Sequence, residues 1–231
     1  MPDAAGNYPP ATNGKLNAGG GAQVGIYYTT DWDLNFGLSV KSPQFFQTFK
    51  YQTVNASGFP TSTQVQFDYP GIASLGVSYT GLERWVLASD FRYIDYRNAT
   101  GFDGIGFVQT GYLAGSLRGL GWNDVFALAL GAQYEASTSI HVRVGYTYNT
   151  DPIPNTRASF NVASPLILEH TAYVGFSYDI TDSFRVSLAY AHAFENSISG
   201  SILSFRGPIP GSTVQSTTSA DTLLIGATIK F

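Results

Sequence analysis

The sequence predicts an all-β protein, a transmembrane antiparallel up-and-down β-barrel, on three observations: charge is scarce while aromatics abound, apolar residues alternate with polar ones, and short turns alternate with long loops. Of the 231 residues, 12% are charged and 15% aromatic, with 15 Tyr and 16 Phe. Soluble domains average about twice that charge. The hydrophobic share is 44%, yet it is dispersed, and no window approaches the roughly 20 apolar residues that a membrane-spanning helix needs. A barrel combines these properties because its lipid-facing residues alternate with lumen-facing ones.

The alternation is clearest from Ser183 to Phe194. Phe184, Val186, Leu188, Tyr190, His192 and Phe194 occupy one parity, and Ser183, Arg185, Ser187, Ala189, Ala191 and Ala193 the other. That run is long for a soluble strand and suits a tilted strand crossing a bilayer in about nine to eleven residues. The same period two places Phe126, Leu128, Leu130 and Tyr134 on a second strand, Ile140, Val142, Val144, Tyr146 and Tyr148 on a third, and Ala172, Val174, Phe176, Tyr178 and Ile180 on a fourth. Weaker alternations begin at Val24, Leu34, Leu75 and Trp85. With the final run Leu223, Ile225, Ala227, Ile229 and Phe231, the total is roughly nine strands.

Short turns are expected near Thr30-Asp31, Gly81-Leu82, Ala136 to Thr138 and Thr181-Asp182, and long loops over 41–61, 97–123, 150–168 and 197–220. In outer-membrane barrels the short turns face the periplasm and the long loops face outward. The polarity of every strand follows, and the last one runs toward the periplasm. Its terminal Phe231 resembles the C-terminal signature read by the barrel-assembly machinery, which makes that machinery an expected partner beside outer-membrane lipid.

The order and spacing of several motifs from Trp122 to Phe194 resemble the C-terminal strands of the FadL/TodX (OmpP1-type) family of bacterial outer-membrane transporters. They are Trp122-Asn123-Asp124; Leu130-Gly131 with Gln133-Tyr134; Val142-Arg143 with Gly145-Tyr146; Pro152 and Pro154; Pro165; Val174-Gly175 with Tyr178; and Tyr190 with His192. Gly37 to Ser42, Asp68 to Pro70 and Gly76 to Tyr79 match more loosely. The resemblance implies a fourteen-stranded barrel plugged by an N-terminal hatch. It also implies uptake of hydrophobic compounds, such as long-chain fatty acids or aromatic hydrocarbons, released sideways into the membrane. On this reading residues 1–20 are a linker or outer-loop remnant and 21–231 are barrel strands and loops. The hatch and first strands are then absent, because nine strands cannot leave both ends on one side of the membrane as an even-stranded barrel does.

The inward parity carries Asp90, Arg92, Gln133, Glu135, His141, Arg143, Asp179 and Arg185. Of these, Asp90, Arg92, Gln133, Arg143, Asp179 and Arg185 are expected to form a lumen network, since a buried guanidinium needs partners to offset desolvation. The Ala136–Thr138 turn sets Arg143 opposite Gly131, whose missing side chain leaves room for it. Arg143 is also the candidate for a substrate carboxylate, given the geometry of Arg–carboxylate pairs. Asp179 and Arg185 flank a turn on one parity and suit a cross-strand pair. The long loops are unusually apolar. Phe45, Phe46, Phe49 and Phe59 in one, Phe107, Tyr112, Leu113 and Leu120 in the next, and Ile202, Leu203, Phe205 and Ile209 in the last read as a capping layer or a hydrophobic docking surface. Phe45, Phe46, Phe49 and Phe107, with Arg143, are the candidate substrate contacts.

Other functions find little support. Cysteine is absent and the net charge is −4 without a basic cluster, so thiolate metal sites and a phosphate-tracking groove for nucleic acid lack a basis. His141, His170 and His192 fall on separate strands without metal-ligand spacing. The nearest approach to a nucleophile elbow, Gly115 to Gly119, has no strand-to-helix context. No enzyme, cofactor or metal site is expected, and the rival to transport is a structural or adhesive barrel.

Overall fold

The computed structural model describes residues 12, 14, 16–54, 59–104, 119–163, 165–204 and 206–230. Nine strands form one antiparallel sheet in chain order: β1 Gln23–Thr29, β2 Leu34–Lys41, β3 Gly71–Tyr79, β4 Trp85–Asp95, β5 Val125–Ser137, β6 Ile140–Asn149, β7 His170–Thr181, β8 Phe184–Gly200 and β9 Val214–Ile229. Each pairs with its sequence neighbours, so among the described residues β1 and β9 are each paired on one side. The all-β, up-and-down architecture is the one the alternation predicts, and its fold class is that of a portion of an outer-membrane barrel.

The turns between β1 and β2, β3 and β4, β5 and β6, and β7 and β8 are short and lie at one end of the sheet. In the first, Asp33 takes a left-handed conformation (φ 59°), which Asp tolerates better than most residues. The other end carries the long connections, and two of them differ from expectation. The segment expected to loop from 41 to 61 contains a hairpin of Phe49–Val54 with Pro60–Val65. The one expected from 197 to 220 is largely strand, because β8 and β9 continue past a bulge after Ala193 as a paired ribbon. Polar Ser, Thr, Asn and Gln, with no apolar alternation, hide that extension in the sequence. Gly19 and Gly20 pair with Phe46 and Phe45, placing residues before β1 along the long-loop end.

Large apolar side chains are exposed and small ones are covered, the inverse of a soluble sheet. Val144 is 54% and Leu188 46% exposed, while Ala127, Ala193 and Ser177 on the other face are buried. Register makes the exposed face continuous: Leu38, Leu75 and Phe91 are neighbours across β2–β4, and Val144, Val174, Tyr190 and Leu223 across β6–β9. Aromatic rings border this band at both ends. Trp85 and Tyr93, Tyr134 and Phe126, and Tyr178 and His170 stand eight residues apart on β4, β5 and β7. That spacing is about 26 Å along a strand, or roughly 20 Å along the axis at ~40° tilt, close to the apolar belt between the aromatic girdles of such barrels. The Trp85 and Tyr134 rings meet tilted at 4.7 Å between centroids, and the Tyr93 and Phe126 rings at 5.2 Å.

The compact apolar core lies in the outer loops. Trp122, Ile153, Ala158, Ile167 and Ile198 are buried together, with Tyr96, Phe102, Leu120 and Val214 against them. Trp122 Nε1 donates to Asn161 Oδ1 at 2.6 Å, and Asn161 Nδ2 donates to the carbonyls of Arg157 and Leu120. The buried polar atoms are thereby satisfied where three connections meet. Burial raises the Tyr96 phenol and the Asp151 carboxyl above their ordinary values; for Asp151 desolvation outweighs the hydrogen bond from Ile153 N–H.

The two faces differ in what they tolerate. Leu188→Arg, on the exposed apolar face, should destabilise by about 2–4 kcal/mol in urea unfolding from bilayers. Ala189→Arg, one residue along on the lumen face, should cost clearly less; the reverse order would contradict the assignment of faces.

Candidate functional site: the lumen wall and its outer mouth

The lumen face is the parity opposite the apolar band, and it divides into three regions. The first is apolar. On β7–β9, Tyr173, Ala189, Ala191, Ala193 and Leu224 surround a pocket of about 260 Å³ roofed from the loop side by Leu168. Alanine at consecutive lumen positions leaves the space, and Tyr173 and Leu224 flank it. The sequence analysis places these alanines on one parity without a pocket, which register alone assembles: Tyr173 pairs with Ala191, and Ala191 with Thr222.

The second region is a hydrogen-bonded network near the short-turn end. Arg143 Nε donates to Gln133 Oε1 at 2.7 Å and Nη1 to Ser177 Oγ at 2.6 Å, and Ser177 shares a hydrogen bond with Ser187 at 2.8 Å. Ser177 is completely buried beneath the guanidinium. Asp179 and Arg185 are register partners, joined through Nε–Oδ1 at 2.5 Å and Nη2–Oδ2 at 2.8 Å. His141 Nε2 lies 3.1 Å from Arg185 Nη2 and 3.3 Å from Asp179 Oδ2. Glu135 is the register partner of His141.

Arg143 does not oppose Gly131. The β5–β6 turn closes at Ser137–Ile140, later than expected, and with the one-residue bulge between Ile140 and His141 this pairs Arg143 with Gln133 and Gly145 with Gly131. The glycine beside Arg143 is Gly175 on β7, where a Cβ would lie 3.5 Å from the Arg143 Cβ. Room for the guanidinium thus comes from the neighbouring strand on the other side.

Asp90 and Arg92 do not join this network. They lie in a third region, a polar groove of about 650 Å³ on the lumen face of β1–β4 that also includes Gln23, Ser39, Lys41 and Ser74. Asp90 stands over Gly76, where a Cβ would come within 2.5 Å of Oδ1. Lys41 Nζ sits 4.7 Å from the centre of the Tyr69 ring. Lys41 was not singled out from the sequence, although its parity with Asn35 and Ser39 puts it on the lumen side.

At the outer mouth, Phe45 is exposed, and Phe46 lies half-buried 6.4 Å from the ring of Phe49. Phe59, Ile202 and Ile209 are exposed, whereas Leu120 packs on the loop core. Leu203 is half-buried in a short hairpin with Pro208. Phe107, Tyr112, Leu113, Phe205, Phe231 and the serine of the 115–119 segment lie outside the described residues.

A sheet with apolar side chains outward between two aromatic girdles, a mixed lumen face, short turns at one end and long loops at the other defines the wall of an outer-membrane β-barrel. The chain belongs to the family described as outer membrane protein transport protein (OMPP1/FadL/TodX), whose model matches residues 18–231. It is therefore a protein of the bacterial outer membrane. The fold is similar to that of the Pseudomonas putida toluene transporter TodX, at 16% identity and a TM-score of 0.63, over 93% of this chain and 50% of that one. A Pseudomonas aeruginosa FadL homologue matches at 13% identity with a TM-score of 0.64, over 90% and 50%. The Ralstonia pickettii toluene transporter TbuX matches at 15% with a TM-score of 0.57, over 90% and 47%. The chain thus spans about half the length of these structures. No curated protein matches its sequence.

The two lumen arginines should differ in what they support. Arg143→Met removes two charge-assisted hydrogen bonds and should cost about 1–3 kcal/mol in urea unfolding. Arg92→Met, which breaks no hydrogen bond among the described residues, should stay within about 0.5 kcal/mol. Equal losses would show that the network around Arg143 adds nothing to the wall.

Proposed function

We propose that this chain forms wall and mouth of a channel that takes hydrophobic compounds, long-chain acids or aromatic hydrocarbons, across the outer membrane without covalent chemistry or a cofactor. The observation that carries the reading is the apolar pocket on the lumen face between Tyr173 and Leu224. A lumen serving only hydrophilic solutes or a structural plug has no use for an unfilled apolar recess, because exposing such a surface to water costs about 25 cal/mol per Å². Membership of a transport family and the likeness to TodX and TbuX support it.

In this reading Phe45, Phe46 and Phe49, with Phe107, give arriving substrate a first apolar contact at the mouth. Arg143 serves the wall, since two of its donors are committed to Gln133 and Ser177. The pocket then holds substrate by dispersion and exclusion of water, consistent with passive movement down a gradient.

Proteoliposomes carrying the full-length protein should accumulate labelled oleate or toluene faster than empty liposomes. Ala191→Trp, which fills the pocket, should remove most of that gain, and Phe45→Ala should lower it less. A wild-type rate equal to that of empty liposomes would contradict the proposal.

A further inference from the structure

The lipid-facing side of the sheet is not evenly filled. A shallow apolar groove of about 630 Å³ crosses it from β2 to β6. Register shows the cause: Ala132 stands in a row between Leu87 and Val144, and Ser89 in the next row between Val77 and Leu130. Two small residues on adjacent strands, each flanked by larger apolar ones, leave a furrow in the apolar band.

The groove has a direction. Leu34 and Tyr79, the first residue of β2 and the last of β3, form its lower end at the short-turn rim, and Tyr146, the seventh residue of β6, lies at its upper end. Six residues of strand rise roughly 15 Å along the axis at ~40° tilt, the depth of one leaflet of a ~30 Å hydrocarbon core. The short turns face the periplasm, and the leaflet on that side of the outer membrane is built of phospholipid. An acyl chain of that leaflet is therefore what meets the groove.

A pair of opposite charges marks the same end. Glu83 and Arg84 lie in the β3–β4 turn, between Tyr79 and Trp85; both are exposed, and among the described residues neither makes a side-chain hydrogen bond or ion pair. Arg84 takes a left-handed conformation (φ 63°), which Gly or Asn adopts with less strain, so the turn itself does not call for arginine. Its carbonyl accepts from Glu135 N–H at 2.8 Å, which ties the turn to β5. Trp85 and Tyr134 pair in the row below Leu87 and Ala132, and such rings sit at headgroup level in membrane proteins.

We propose that the groove and the Glu83–Arg84 pair form a binding site on the outer surface of the wall for a zwitterionic aminophospholipid of the periplasmic leaflet. One acyl chain lies along Ser89 and Ala132, the phosphate meets Arg84 and the ammonium meets Glu83. Adjacent side chains of opposite sign match a phosphate joined to an ammonium better than a phosphate alone, which selects phosphatidylethanolamine over phosphatidylglycerol. The site is separate from the lumen and does not depend on what the lumen conducts.

The test is competitive exchange of phosphatidylethanolamine and phosphatidylglycerol, supplied in equal amounts to the full-length protein in detergent, with bound lipid counted by native mass spectrometry. The unaltered protein should hold one phosphatidylethanolamine in about fivefold preference, the scale of one charge at a membrane surface. Ala132→Phe, which fills the groove, should lower bound lipid about tenfold, whereas Val174→Phe, on the same face outside the groove, should change nothing. In the exposed turn, Arg84→Gln should weaken both lipids about fivefold, and Glu83→Gln should abolish the preference. Equal retention of the two lipids by the unaltered protein, or retention of neither, would overturn the site. So would equal effects of Ala132→Phe and Val174→Phe, or a lipid-free dimer that Ala132→Phe dissociates, which would make a second copy the occupant.

Discussion

In hydrocarbon no water can satisfy a backbone N–H or C=O, so every such group in a spanning segment must find its partner within the protein. Eight consecutive antiparallel ladders from β1 to β9 meet this demand in the interior of the sheet. They also fix the register, and with a side-chain period of two the register fixes which residue meets lipid and which meets the lumen. A slip of one residue on β7 would send Val174, Phe176 and Tyr178 into the lumen, and Thr171 and Asp179 into the bilayer. Pockets, networks and girdles all follow from that pairing.

The lumen face then becomes a surface assembled from residues far apart in the chain. Toward the short turns, Gln133, Arg143, Ser177 and Ser187 tie three ladders together, and Asp179 and Arg185 close the rim beside His141. Nearer the mouth the wall turns apolar around Tyr173 and polar around Arg92. Above it, the loop core around Trp122 anchors three connections with a satisfied Asn161.

Strands were legible because lipid exposure writes a strong signal: the runs starting at Phe126, Ile140, Ala172 and Phe184 each fall on a strand of the structure. Ends were less legible. The ribbon of β8 and β9 beyond Ala193 lies outside the apolar band, with Ile198 and Val214 on the loop core, and its Ser, Thr and Gln carry no apolar alternation to read. The Arg143 partner was misplaced because the β5–β6 turn closes later, at Ser137–Ile140, and a one-residue bulge follows it; neither leaves a mark in composition. The Asp179–Arg185 pair was accessible from spacing, since two residues flanking a tight turn must face each other. The Ala191 pocket and the Lys41–Arg92 groove are products of register between strands, and a single sequence does not print register. The Trp122 core was hidden for a related reason: its members come from the β4–β5 and β6–β7 loops and from the outer ends of β8 and β9, where no apolar period marks them.

The central claim is that one parity of this sheet faces lipid and the other an aqueous lumen. A nitroxide scan from Thr171 to Asp179 on β7, in bilayers, tests it most directly through collision with oxygen and with a water-soluble nickel chelate. The account predicts strict alternation, with oxygen dominant at 172, 174, 176 and 178 and nickel dominant at 171, 173, 175 and 179, buried 177 being low in both. A profile without period two, or one with the parities exchanged, would contradict it.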